Sequence, residues 1–394
     1  MSPFEFQIPT RVIFGPGSVD RLGAVAREQG GTRVLLVTDR GLVEAGHADH
    51  TRRSIEQAGL SCVVFDQVRE NPTTLDVDRC VSAAREARVD FIVALGGGSS
   101  MDCAKGCNFL LTNGGRMADY WGVGKATKPM LPFIAVPTTT GTGSEMQSFA
   151  LIADERTHQK MACGDRKALA RMAILDPLLA VSQPRSVIAC TGLDAVAHAV
   201  ETAVTRQRTE ASRLFSRESF RLAVANLPTI LQQADDVAAM GGMMLAACWA
   251  GAAIEHSMLG AAHSMANPLT ASFNVIHGHA VGLLLPHVVR FNAQDPSTRD
   301  GYAELARTGG LASPDGGADA AVSVLVTWLE RVLIQTDLPN TLSGCGVQER
   351  DIDALAQGAA KQWTAQFNPR PVTAREFAML YRAALGAGVA APLA

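Results

Sequence analysis

The sequence predicts an α/β domain over residues 1–182 followed by an all-helical domain over 183–394, on three observations. Short, wholly apolar runs alternate with helical stretches through the first half, the pattern of parallel strands covered on both faces. After Gln183-Pro184 strand signals almost vanish, and long Ala-rich stretches of helical period take their place. The 394 residues are 47% hydrophobic and 19% charged, which supplies apolar material for two cores and excludes a disordered chain.

The elements follow in order. Val34-Leu35-Leu36-Val37 is a strand signal that ends in Thr38-Asp39, and 61–65 is a second. Phe91-Ile92-Val93-Ala94-Leu95 is a third, followed at once by Gly96-Gly97-Gly98, and 133–137 a fourth. Helices are predicted between them at 41–59 and 75–88. Beyond the boundary, 187–205, 210–227, 237–258, 319–336 and 349–363 read as helices, with 308–318 as a surface loop rich in Gly, Ser, Pro and Asp. Residues 238–254 approach the length of a membrane span but are closed by Glu255 and His256; a span needs about 20 apolar residues, so a buried helix is predicted.

Charge and cysteine content narrow the class further. With 35 basic against 38 acidic residues, the chain lacks the basic surplus of a nucleic-acid-binding protein. Its eight cysteines form no CxxC pair, and a chain this large needs no disulfide framework, so reduced thiols in a cytoplasmic protein are expected. The first residues carry neither a basic region nor an apolar run, so no signal peptide and no membrane partner are predicted.

Three constellations carry chemistry. Gly96-Gly97-Gly98-Ser99-Ser100-Met101-Asp102 lies between a buried strand and a helix, where glycines let the backbone approach a phosphate and the new helix offers free N–H groups. It is not the GxGxxG fingerprint. Asp102 is expected in the first turn of that helix, either binding a polar ligand group or favouring the helix N-terminus. Thr138-Thr139-Thr140-Gly141-Thr142-Gly143-Ser144, also after a strand, forms a donor-rich cradle for a diphosphate or sugar. Asp39, at the end of its own strand, either caps a helix or accepts hydrogen bonds from a ribose diol, where it would repel a 2′-phosphate. The third constellation is in the helical part. Asp194 and His198 are spaced i, i+4 and share one helix face, and His263 and His277 follow. One Asp and three His suit Fe²⁺ or Zn²⁺ with a position left open for substrate, although lone histidines are also common in cores.

In this order the motifs resemble the iron-containing (group III) alcohol dehydrogenase family. The resemblance runs from Ile13-Phe14-Gly15-Pro16-Gly17 through Asn71-Pro72-Thr73, both strand-end loops, Leu175-Asp176-Pro177, 192–201, His263 and His277-Gly278 to Asn368-Pro369-Arg370-Pro371. It implies the dehydroquinate synthase-like fold of that family: an N-terminal dinucleotide-binding α/β domain, an all-helical metal-binding domain and an active site in the cleft between them. It implies that Asp194, His198, His263 and His277 hold one divalent metal, Fe²⁺ before Zn²⁺. For the cofactor it points to Gly97, Gly98 and Ser99 at the diphosphate, with Thr138, Thr139 and Thr142 in the second loop. Asn71, Phe149, Lys160 and Leu179 surround the rest of the dinucleotide, and Asp39 takes the position that favours NAD(H) over NADP(H). Asp102 joins this cofactor set. One departure stands out. Where many members have a histidine four residues after the third ligand, this chain has Asn267, an amide that does not titrate near neutral pH.

The expected activity is metal-dependent, NAD(H)-linked interconversion of a small alcohol and aldehyde by a homodimer. A maleylacetate-reductase-like or glycerol-dehydrogenase-like enzyme, or a dinucleotide-binding regulator without turnover, remains open on the sequence. A substrate pocket near Phe149, Leu259, Asn267 and Phe273 is expected to be small and partly apolar.

Overall fold

The apolar runs of the first half form strands because each buries side chains on both faces. A computed structural model describes residues 3–157 and 159–386; Met1 and Ser2, part of the stretch read for a signal peptide, lie outside them. In chain order the strands are β1 (Arg11–Phe14), β2 (Arg33–Val37), β3 (Ser61–Phe65), β4 (Phe91–Gly96), β5 (Gly122–Val123), β6 (Phe133–Pro137), β7 (Phe149–Ala153), β8 (Lys160–Gly164) and β9 (Met172–Leu175). Six make one sheet in the order β1-β9-β6-β4-β2-β3, every pairing parallel. Leu35, Val37, Ile92 and Ala94 feed an apolar cluster on one face, and Val34, Leu36, Phe91 and Val93 feed one on the other. This two-sided burial is what makes continuous apolar strands stable in a parallel sheet.

A smaller sheet, in the order β5-β8-β7, pairs β5 with β8 in parallel and β7 with β8 antiparallel. Sequence reading misses it, because β5 has two residues and β7 alternates half-buried with buried positions. It also misses β1 and β9, four residues each.

By compactness the chain divides into two units. Among the described residues, one comprises 7–183 with 235–244, and the other 184–234 and 245–386 with 3–6. A single cut after residue 182 misses this interleaving. The first unit is the α/β one; the second is helical.

Several helices differ from their sequence prediction for identifiable reasons. The helix predicted at 41–59 is two, Arg40–Glu44 and His47–Gln57, parted by Gly46 in the left-handed region at φ 79°. The stretch at 349–363 is a 3-10 turn, Glu349–Asp351, followed by the helix Ile352–Ala360. Prolines conceal two more and cut a third short. Glu210–Gln232 continues through Pro228, and Ala261–Phe273 and His277–Asn292 contain Pro268 and Pro286. Proline removes one backbone donor, and tertiary packing overrides that local cost here. Val237–Ser257 is long and apolar enough to cross a membrane, at mean hydropathy 1.7, and 72% of its most apolar stretch is buried. All eight cysteines are free thiols.

Candidate metal centre and dinucleotide loops

In the helical unit, Asp194 and His198 project from Arg185–Thr202, where their four-residue spacing places them on one face. His263 stands in the first turn of Ala261–Phe273, and His277 is the first residue of His277–Asn292. Glycine brings the last helix in. A Cβ on Gly278 would lie 2.0 Å from the Cys190 carbonyl oxygen and 3.2 Å from Asp194 Cβ, and one on Gly282 would lie 2.9 Å from Leu193 Cβ. Only glycines, one turn apart, let these backbones approach so closely.

One ligand atom from each of Asp194, His263 and His277 lies within 4.8 Å of the other two. His198 is not part of that tight set, but its Nε2 is 3.4 Å from Asp194 Oδ1 and its ring stacks on His263 at 4.8 Å between centroids. Asp194 Oδ1 and His263 Nε2 are buried, 3.5 Å apart, and lack hydrogen-bond partners among the described residues. Orphaned atoms of this kind cost about 1–3 kcal/mol each, and a shared cation satisfies both. The donor set fits a divalent ion.

Electrostatics agree. Burial alone would raise the Asp194 carboxyl, yet the facing His198, His263 and His277 hold it well below the usual carboxylate range. Burial likewise works against a charged His263, while Asp194 and Glu201 push its imidazole up to about 9.

Glu201, at the end of the motif that supplies Asp194 and His198, is a functional residue that sequence reasoning quotes without a role. Its carboxylate accepts from His263 Nδ1 at 2.6 Å, from the Gly260 N–H at 3.0 Å and from the Ala262 N–H at 2.7 Å. It fixes the His263 tautomer, directing Nε2 toward the ligand set. It also satisfies free donors at the start of a helix whose own N-cap, Gly260, has no side chain to offer. Asn368 adds a third cap, accepting from the Ala261 N–H at 3.2 Å. The signal for both was their position at the ends of quoted motifs.

His279 turns elsewhere: its Nε2–H donates to the Pro339 carbonyl at 2.6 Å. Asn267 lies one turn beyond His263, and its Nδ2 donates to Gln362 Oε1 at 2.9 Å.

In the α/β unit, β6, β4 and β2 are consecutive neighbours and parallel, so the segments that leave their carboxyl ends lie side by side. That edge is where ligands bind in such sheets. Asp39 leaves β2, Gly97-Gly98-Ser99 leave β4, and Thr138-Thr139-Thr140 leave β6. Gly96 has φ 148°, and a Cβ there would collide with Ser100 Oγ at 2.4 Å. Cβ atoms on Gly97 and Gly98 would each stand 3.1 Å from a methyl, that of Thr139 and of Thr142 respectively. The two loops thus pack together through glycine, and Thr139 Oγ1 is buried with no partner among the described residues. A cradle with a spare hydroxyl and the N–H groups of Gly98–Asn113 fits a diphosphate.

The remaining predicted cofactor residues divide. Asn71, in the left-handed region at φ 52°, joins two of them: its N–H donates to Ser99 Oγ at 3.2 Å and its Oδ1 accepts from Lys160 Nζ at 3.3 Å. Asp39 caps the helix Arg40–Glu44, accepting from the Leu42 N–H at 3.1 Å, and burial raises its carboxyl. Thr138 is buried, its N–H on the Gly96 carbonyl at 3.1 Å. Leu179 is packed into an apolar cluster, and the Phe149 ring covers Gly164. Asp102 corrects its prediction. It lies beyond the first turn of Gly98–Asn113, where no acidic residue stands, and is buried with Ser144 Oγ donating to it at 3.3 Å. Burial pushes its carboxyl to about 6 despite Lys105, whose buried Nζ donates to Ser144 O, Ser144 Oγ and Phe149 O. Asp102 belongs to a buried polar layer under the second loop.

Known proteins agree with this architecture. Residues 9–177 match the family "Iron-containing alcohol dehydrogenase", and residues 188–385 match "Fe-containing alcohol dehydrogenase family, C-terminal". The chain is 32% identical to an NAD-dependent methanol dehydrogenase of Bacillus methanolicus over 97% of its own length and 100% of that protein. It is 32% identical to a 1,3-propanediol dehydrogenase of Citrobacter freundii over 97% and 98%. The solved structure of a 1,3-propanediol oxidoreductase superimposes with a TM-score of 0.94 at 31% identity, covering 98% of this chain and 100% of that one. With both halves matched in order and a convergent ligand set in the second, the chain belongs to the iron-containing alcohol dehydrogenase family.

Proposed function

We infer that the protein is a metal-dependent, NAD(H)-linked alcohol dehydrogenase and aldehyde reductase, with Fe²⁺ as its cation and a small alcohol or aldehyde as substrate. The observation that carries this reading is the convergence of Asp194, His263 and His277, with two buried ligand atoms left orphaned among the described residues. When bound, a divalent cation supplies Lewis acidity toward an alcohol or carbonyl oxygen, and a nicotinamide gives or takes the hydride.

The chain's own residues supply the rest. Asp194, His198, His263 and His277 would hold the ion, and Glu201 holds His263 in orientation. In the α/β unit, the N–H groups at Gly98 and Ser99 and the hydroxyls of Thr138, Thr139 and Thr142 hold the diphosphate. Asn71 and Lys160 flank it. Asp39 favours NAD(H), since a carboxylate at the end of β2 accepts from a ribose diol and repels a 2′-phosphate. Small alcohols suit the reading because the similar methanol and propanediol dehydrogenases are named for such substrates. A metal-independent reductase leaves Asp194 Oδ1 and His263 Nε2 unexplained.

The test is a panel of aldehydes and alcohols assayed with Fe²⁺- and Zn²⁺-loaded protein, each with NADH and NADPH. The reading expects turnover that chelation abolishes and Fe²⁺ restores, with NADH preferred. Turnover indifferent to chelation overturns the metal assignment, and equal use of NADPH overturns the role of Asp39.

A further inference from the structure

We propose that Gln362 is a positioning residue that locks the Asn267 amide with its oxygen toward the substrate, so that the site prefers alcohols and aldehydes bearing a neighbouring hydrogen-bond donor over apolar or anionic ones. The proposal rests on the metal-dependent dehydrogenase reading and concerns a different property of the same site.

The orientation follows from a chain of hydrogen bonds with only one consistent direction. The Gly358 carbonyl can only accept, and Gln362 Nε2 donates to it at 3.4 Å. The Gln362 oxygen is therefore the atom turned to Asn267, 2.9 Å away. An amide oxygen can only accept, so Asn267 must meet it with Nδ2. Its Oδ1 is left as an acceptor, and no hydrogen bond from a described residue reaches it. Gly358 is itself held in place: a Cβ there would stand 3.1 Å from Pro268 Cγ, the residue after Asn267. The helix Ile352–Ala360 thus lies directly against the turn that carries Asn267.

Position puts that acceptor on the helix face that carries His263. Asn267 follows His263 by four residues on Ala261–Phe273, so the two share a helix face, and His263 presents Nε2 to Asp194. Asn267 is half-buried, as is Gln362. A fixed acceptor beside the site rewards a hydroxyl, leaves a methyl without a partner and repels a carboxylate. A free asparagine, able to turn over and offer Nδ2, would make none of these distinctions.

Glycolaldehyde and propanal test this directly, because they differ only in hydroxyl against methyl; glyoxylate supplies the anion. With metal-loaded enzyme and NADH, kcat/KM for glycolaldehyde should exceed that for propanal by about tenfold, with glyoxylate poorest. Gln362→Met frees the Asn267 amide and should bring the ratio toward one, chiefly through KM. Gln362→Glu still only accepts from Asn267 and should keep the preference, which a merely structural role would not predict. Asn267→Leu should lose it, and serves in place of Gln362→Met if that variant does not fold. A second measurement needs no turnover: by calorimetry, ethylene glycol should bind metal-loaded protein more tightly than propan-1-ol, and Gln362→Met should abolish the difference. Turnover with the same aldehyde ratio in wild type and all variants overturns the positioning role while leaving the dehydrogenase reading intact. No turnover, with the diol still preferred and the preference lost in Gln362→Met, leaves the positioning role and overturns the dehydrogenase reading.

Discussion

Two residues decide whether the ligand set can assemble. Glu201 is buried, and its carboxylate accepts from His263 Nδ1. Carboxylates that orient a ligating histidine typically contribute 10–100-fold to metal affinity, so Glu201→Gln should weaken metal retention by roughly that factor in a competitive chelator titration. Unchanged retention would reduce Glu201 to a helix cap. Gly278 is the second. Its substitution by alanine places a methyl 2.0 Å from the Cys190 carbonyl oxygen, backbone that cannot rotate aside. Gly278→Ala should therefore cost about 1–3 kcal/mol in urea unfolding, with metal lost in parallel. A fully stable variant that still retains metal would show that the two helices can part without disturbing the site.

Among elements, the strand-end loops show what was legible in the sequence. The four apolar runs read as strands in the first half became β2, β3, β4 and β6, because glycine, proline or polar residues close each of them. The short strands, and the helices that run through Pro268 and Pro286, were illegible because tertiary packing rather than local preference makes them. The spacing of Asp194 and His198 was readable, being local; the caps from Glu201 and Asn368 join segments far apart in sequence and left no periodic trace. Asp39 was readable as either a cap or a ligand, and its cap is present. Two substitutions separate these roles. Asp39→Ser keeps a capping oxygen and removes the charge, so it should admit NADPH at little cost in stability. Asp39→Ala should admit NADPH as well, but lose about 0.5–2 kcal/mol with the cap. NADPH excluded as strongly in both variants would remove Asp39 from cofactor selection.

For the whole molecule, the buried polar layer under the second loop couples stability to pH. Glu145 is almost fully buried, and burial pushes its carboxyl from 4.5 to about 7. A carboxyl raised in the folded state binds its proton more tightly there than in the unfolded chain. Its stabilising contribution is present below pH 4.5, is lost as pH climbs toward 7, and stays lost above it. Glu145→Gln cannot ionise. Relative to wild type, the metal-free variant should gain on the order of 1–3 kcal/mol between pH 5 and 8, read as a shift in urea midpoint. Parallel curves for the two proteins would place the proton elsewhere.

The Asn368 cap has a consequence for the order of events in a growing chain. His263 and His277 are made first, but the helix bearing His263 has its N-terminus completed only when Asn368 arrives, roughly ninety residues after His277. At about 5–20 residues per second, that is a delay on the order of ten seconds in which three histidines and a carboxylate exist without the frame that aims them. On the proposed reading, metal capture by the finished geometry belongs to the end of synthesis. A chain released before Asn368 would carry all four proposed ligands and still lack the acceptor that caps the helix bearing His263.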